Sequence, residues 1–522
     1  MFEKEVYVSR RRRLVETVRD GVILLLGNSE ASCNYPDNQY AFRQDSSFLY
    51  FFGLDKPDLA AVIDAESGEE VVFGNDVDID DIIWMGPQPL VADQAAEAGV
   101  AKTAPFGKLA DCLAEAQRKG RKVHFLPPYR NHNKILLHKL LGIGLDALKD
   151  SASVELIQAV VALRLTKEPC EIAEIDKACN LGYAMHVTAM KMMRLGMVEQ
   201  EVVGVMDGVC MSGGVMTSFP TILSQHGETM HNHAHDGILT EGRLCVIDAG
   251  VEIASHYCSD NTRTLPTSGK FTQKQKDIYE IVLTANDYAR EAARPGVAYR
   301  DIHLGASKII VQGLKNLGLV HGDVDEMVAA GVQGLFMPHG LGHNMGLDVH
   351  DMEDLGENYV GYDPDQTRAN QLGLGSLRMA RKLCPGHVIT DEPGIYFIPA
   401  LIVLVAIALS KKETKKNMTL PKMYEQIKDG MLKVVPTAAL VLFAYFVSNV
   451  LVTLGIEKAI GEYIASLNMS LFALALILPL FTAILGMLIP GSTQVKIFGG
   501  IIITIITAAG GNPMLACAML PC

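Results

Sequence analysis

The stretch HGLGHNMGLDVHD (339–351) decides how the chain reads, because it sets His339, His343 and His350 among closely spaced glycines. A lone histidine is most often a satisfied core residue. Three within twelve positions, separated by glycines that let backbone approach a ligand, point to a site instead. Upstream, VIDAG (246–250) and SDNTRTLP (259–266) each carry an aspartate, Asp248 and Asp260. The pattern predicts two strands, LCVIDAG (244–250) and HYCSDNTRTLP (256–266), joined by a short hairpin turn. Both carboxylates then share a face. With no cation between them they repel, and one takes up a proton. The plainer alternative is that one aspartate caps a turn and the other pairs with Arg263. Downstream, Glu392 precedes the Pro393-Gly394 turn in DEPGIY (391–396). In MHNHAHD (230–236), His231, His233 and His235 would share a face on a strand, as a zinc cluster or as a polar edge. Hard oxygen donors plus an imidazole, converging from several segments, are what a two-metal hydrolytic site needs.

Around these motifs the chain divides into three. Residues 1–150 read as an α/β domain. VILLLGN (22–28) is an apolar strand, SSFLYFFGL (46–54) is a second apolar run, and AAVIDAESGEEVVFGN (60–75) is a hairpin. An amphipathic helix then stops at Gly120. Residues 151–400 alternate helices with strands, twice over, which predicts an α+β domain with an antiparallel sheet. The segment 163–196 reads as helix, with Glu168-Pro169 near its start. From residue 401 the composition changes. Three uncharged runs, 437–456, 470–490 and 497–520, are each long enough to cross a hydrocarbon core of about 30 Å.

Taken together and in this order, MHN (230–232), VIDAG, SDNTRTLP, HGLGHNMGLDVHD and DEPGIY resemble the Xaa-Pro aminopeptidases and prolidases of the pita-bread metallopeptidase family, over residues 1–398. The resemblance implies a creatinase-type α/β N-terminal domain ahead of a pita-bread catalytic domain. It implies two divalent metal ions, manganese first, with cobalt and zinc as alternatives. Asp248, Asp260, His343 and Glu392 would be ligands, Asp260 bridging both ions. Glu392 would also shuttle a proton to the leaving group. His231 and His350 would steady the scissile carbonyl, and His339 would support the site from nearby. The substrate would be a peptide with proline in second position, and a homodimer is one assembly the family reading allows. One element departs from the pattern. The family's fifth ligand, a bridging Glu in a Gly-Ile-Arg-Ile-Glu-like strand, has no counterpart here. The domain therefore reads as lacking its last strand, with weak binding of the second metal and poor activity.

Bulk properties agree with such a body. The chain is −13 overall, and residues 401–522 contribute +4, leaving −17 on residues 1–400. That balance argues against nucleic acid as a partner. Ten cysteines without a CxxC pair suit a reducing, cytoplasmic compartment. SKKETKKN (410–417) reads as a cytoplasmic loop by the positive-inside tendency. The tail makes an all-α membrane-spanning segment, resembles part of the large permease of a TRAP-type transporter, and ends abruptly. The join near residues 399–402 reads as a fused or mis-joined frame, which would make the chain chimeric. Two other classes stay open: a non-catalytic binding module on the same fold, and a transporter fragment with a soluble passenger.

Overall fold

A computed structural model describes residues 2–398. The three apolar runs and the lysine-rich loop lie outside the described residues. Among those described, no helix is long and apolar enough to cross a membrane.

The N-terminal part is built on a mixed five-stranded sheet. Its order is Lys102–Ala104, Glu70–Phe73, Ala60–Asp64, Val22–Leu26, Val123–His124. The hairpin expected over 60–75 is the central antiparallel pair, with Ala60 opposite Phe73. The second apolar run differs: SSFLYFF forms a helix, Ser46–Phe52, with every residue buried. A short, uniformly apolar run carries no period, so strand and buried helix look alike in sequence. Asp45 caps its start by accepting from the Phe48 amide, and Gly53 closes it at φ 65°. Its last carbonyls would otherwise be orphaned in the core. Arg10, on the helix Lys4–Val18, donates to the Tyr50 carbonyl at 3.0 Å, and Arg11 donates to that of Phe51 at 2.8 Å. Both arginines are fully buried. The basic N-terminal run is thus partly an internal cap.

The segment 163–196 is two helices rather than one, Val154–Leu165 and Pro169–Met192. Proline is poorly tolerated inside a helix but well placed at its first position, and Pro169 starts the second helix behind the Glu168 cap. From here the architecture repeats itself. Helices Pro169–Met192 and Glu199–Ser212 form one hairpin; Gln273–Ala292 and Tyr299–Asn316 form another. Each turns at a left-handed glycine, Gly196 at φ 84° and Gly296 at φ 86°. Each glycine amide donates to a chain returning much later, Gly196 to the Leu239 carbonyl at 2.9 Å and Gly296 to that of Leu383 at 2.8 Å.

Between the hairpins lies an antiparallel sheet ordered Asn261–Pro266, Leu244–Ala249, Ile222–Ser224. The link between its two longer strands is not a short turn. It runs through residues 250–260 and contributes a two-residue strand, Val251–Glu252, to a separate pairing with Met216–Thr217. Gly250 is required there, since a Cβ would sit 1.9 Å from the Ser259 carbonyl oxygen. His231, His233 and His235 lie in irregular chain, so the shared face expected of them does not form.

Candidate metal centre

Register alone aligns the first two carboxylates. Asp248 stands opposite Thr262 in the ladder, and Asp260 is two residues before Thr262, so both point to one side of the sheet. Thr262 Oγ1 donates to Asp248 Oδ1 at 2.7 Å.

The histidine and the glutamate arrive on two extended segments that run antiparallel. Met345 donates to the Val388 carbonyl, Thr390 to that of His343 and Glu392 to that of Leu341, at 3.1, 2.9 and 2.8 Å. The approach is tight: a Cβ on Gly342 would lie 2.1 Å from the Thr390 oxygen. The His343 amide donates to Thr390 Oγ1 at 2.9 Å, and that hydroxyl in turn donates to Glu392 Oε1. His343 Nδ1 lies 3.0 Å from the Asn344 carbonyl, which fixes the tautomer that leaves Nε2 facing the carboxylates. Nε2 is 3.3 Å from Asp260 Oδ2 and 3.1 Å from Glu392 Oε1. Ligand atoms of Asp260, His343 and Glu392 all lie within 4.8 Å of one another.

The electrostatics describe a pocket rich in acid. Burial, reinforced by the neighbouring Asp260 charge, pushes the Asp248 carboxyl up to about 7. Burial disfavours charge on His343 too, but its hydrogen bonds to Asp260 and Glu392 outweigh that and raise it to about 10. Burial also opposes ionisation of Glu392, yet the hydrogen bond and charge of His343 bring it down to about 2. Three carboxyls around one imidazole therefore hold a proton for want of other positive charge. Carboxylates plus an imidazole are the donor set of a divalent transition-metal ion, and the residues present fit one.

The remaining candidates divide. The His350 ring stacks on His343 at 3.7 Å with 12° between planes, and its Nδ1 lies 2.7 Å from Glu353 Oε1. His339 Nδ1 contacts the Gly340 carbonyl at 2.8 Å, and Nε2 is 3.3 Å from the Tyr396 hydroxyl. His231 is exposed, and neither it, His233 nor His235 joins the group of close ligand atoms found among the described residues. Sequence reasoning missed Thr262, Thr390 and Tyr396. The two threonines were findable, because each lies two residues from an acidic candidate and so on the same face of an extended chain.

It also missed what holds the histidine loop. Asp351 is buried against Arg164 Nη2 at 2.6 Å and Lys167 Nζ at 2.7 Å. Asp348 accepts from Arg164 at 3.1 Å and from Ser46 Oγ at 2.6 Å. Arg43, some three hundred residues earlier, donates to the Leu347 carbonyl at 2.7 Å.

Comparison with known proteins agrees with this geometry. The model of metallopeptidase family M24 matches residues 173–419, and that of the aminopeptidase P N-terminal domain matches residues 7–124. The Xaa-Pro dipeptidase of Homo sapiens is 31% identical over 414 residues, covering 76% of this chain and 81% of its own. The Xaa-Pro aminopeptidase of Escherichia coli (strain K12) is 30% identical over 408 residues, covering 76% and 88%. Among solved structures, aminopeptidase P from E. coli in its low-pH form aligns with a TM-score of 0.65 at 29% identity. A zinc-substituted E. coli aminopeptidase P in complex with product aligns at 0.65 and 28%. Each covers 76% of this chain and 88% of the solved one.

Proposed function

Because the chain belongs to metallopeptidase family M24, we propose that it is a metal-dependent aminopeptidase releasing an N-terminal residue that precedes proline. The observation that carries this is the convergence of Asp260, His343 and Glu392 from three distant segments. Two divalent ions, manganese by preference, would be held by Asp248, Asp260, His343 and Glu392. Bound there, they would supply Lewis acidity and a water ionised at neutral pH. Glu392, aligned by Thr390, takes a proton from the attacking water and returns it to the leaving amine. His350, braced by Glu353 and stacked on His343, presents its remaining ring nitrogen as a donor to the carbonyl oxygen as charge develops. His339 is set by Gly340 and Tyr396 to support the same side. His231, exposed in irregular chain, is assigned the same carbonyl-steadying role as His350.

The departure noted in the sequence shapes the rest. Without a fifth bridging carboxylate, one ion is held more weakly than the other, and turnover is slow. The same departure favours a second reading, a binding module that keeps the fold without the chemistry. Metal content and hydrolysis of a Gly-Pro-containing tripeptide decide between them. A manganese-dependent rate abolished by Asp260→Ala supports the peptidase. No metal uptake and no rate would leave the binding module. Hydrolysis of a Gly-Pro dipeptide in preference to the tripeptide would reassign the specificity to a dipeptidase.

A further inference from the structure

A second group of ligand-type side chains lies in the N-terminal part, on other elements than the candidate centre. Asp20, His124 and Glu155 bring one ligand atom each to within 4.8 Å of the others. Asp20 follows the helix Lys4–Val18, His124 ends the edge strand Val123–His124, and Glu155 is in the first turn of the helix Val154–Leu165.

Two acids near a histidine would not by themselves make a site. The state of His124 adds a separate observation. Its side chain is fully buried, yet Nε2 has no hydrogen-bond partner. That atom lies 3.5 Å from Asp20 Oδ1. The other nitrogen is engaged, with Nδ1 2.7 Å from Ser153 Oγ. Ser153 Oγ already accepts from the Leu156 amide as the cap of the helix, and a second lone pair can accept from Nδ1–H. With Nδ1–H donating to Ser153, Nε2 carries a lone pair beside the Asp20 carboxylate and can take a cation; in the other tautomer the Ser153 hydroxyl donates to Nδ1 and Nε2–H faces Asp20, so a bound cation selects the first. Metal-ligating histidines are commonly held in this way, by a partner on the far nitrogen. The approach to Nε2 is left clear by Gly21. A Cβ there would lie 3.1 Å from Nε2 and 2.5 Å from the Lys122 carbonyl oxygen, and Gly21 sits at φ 68°.

We propose that Asp20, His124 and Glu155 form a second divalent-metal site, suited to zinc. One imidazole and two carboxylates are donors that zinc accepts, and water can complete a four-coordinate shell. Lys122 Nζ, 3.3 Å from Glu155 Oε2, is the competing cation and must swing away. Its ammonium is exposed, so that release is cheap. The ion would staple three elements of the N-terminal part together, acting on stability rather than on turnover.

The test uses the full chain carrying Asp260→Asn and Glu392→Gln, which disables the other donor set. Zinc chloride is titrated against a chromophoric chelator, and thermal unfolding is followed with and without the metal. The expected result is one zinc per chain and a melting temperature that rises with zinc. Adding Asp20→Asn or Glu155→Gln should weaken zinc by about tenfold or more. Asp20 is exposed and Glu155 half-exposed, so neither change threatens folding. Zinc affinity unmoved by both substitutions, or no zinc bound to the doubly substituted chain, would overturn the proposal.

Discussion

Replacing Asp351 by leucine should cost far more than removal of a surface charge. The carboxylate is 1% exposed and faces Lys167, also 1% exposed, and Arg164, 3% exposed. After the change, Arg164 keeps Asp348 and Ser47, whereas Lys167 keeps the Arg164 carbonyl alone, at 2.9 Å. A buried cation would be stranded, and breaking such a pair from one side typically costs about 3–5 kcal/mol. Adding Lys167→Met removes the stranded charge, so the double variant should recover about 2 kcal/mol or more of that loss. Urea unfolding at pH 7 followed by circular dichroism measures both. The single tryptophan, Trp84, is 87% exposed and would report poorly by fluorescence. Manganese affinity should fall in the single variant, because the lost side-chain bonds to Arg164 and Lys167 anchor the loop that carries His343, and the Asp351 amide, kept in leucine, holds the Asn344 carbonyl only as long as that loop stays in place. A single-variant cost below about 1 kcal/mol, the range of exposed pairs, would refute the argument.

Three further outcomes are expected. Thr390→Val removes the hydroxyl shared by the His343 amide and Glu392, and manganese affinity by calorimetry should drop by about 10–100-fold with the fold intact. Gly342→Ala places a Cβ against the Thr390 carbonyl, so it should destabilise by about 1–3 kcal/mol in urea and weaken metal binding with it. His303 is fully buried with both ring nitrogens unpartnered, and burial pushes it down to about 4. An unfolded histidine titrates near 6.5. The neutral ring's contribution is therefore complete above about pH 6.5 and is lost as pH falls towards 4, about 3 kcal/mol in all. His303→Leu should flatten that part of the stability profile; an unchanged acid slope would count against it.

The sequence disclosed the site better than the scaffold around it. Asp248, Asp260, His343 and Glu392 stand in short motifs whose chemistry is local, and alternation along a strand is enough to put the two aspartates on one face. What stayed hidden depends on distance. Nothing near Asp351 announces Arg164 and Lys167, 187 and 184 residues away. Nothing in a run of four arginines tells which two turn inward to close a helix. The run at 46–52 lacks any period, and only its burial on all sides separates helix from strand. The three histidines of MHNHAHD show the opposite error, in which a regular spacing suggested a strand that Asn232 and the surrounding turns do not build.

The bonds from Arg43 and Ser46 to residues 347 and 348 bear on when the candidate metal centre comes into being. Contacts of such long range are slow to form, because the loop-closure entropy must be met first. During synthesis the N-terminal part is complete long before the histidine loop emerges, and Arg43, which also pairs with Glu252, gains its bonds to that loop last. The candidate metal centre is thereby completed only when nearly four hundred residues have been made and docked, so a nascent or aborted chain lacks its full ligand set.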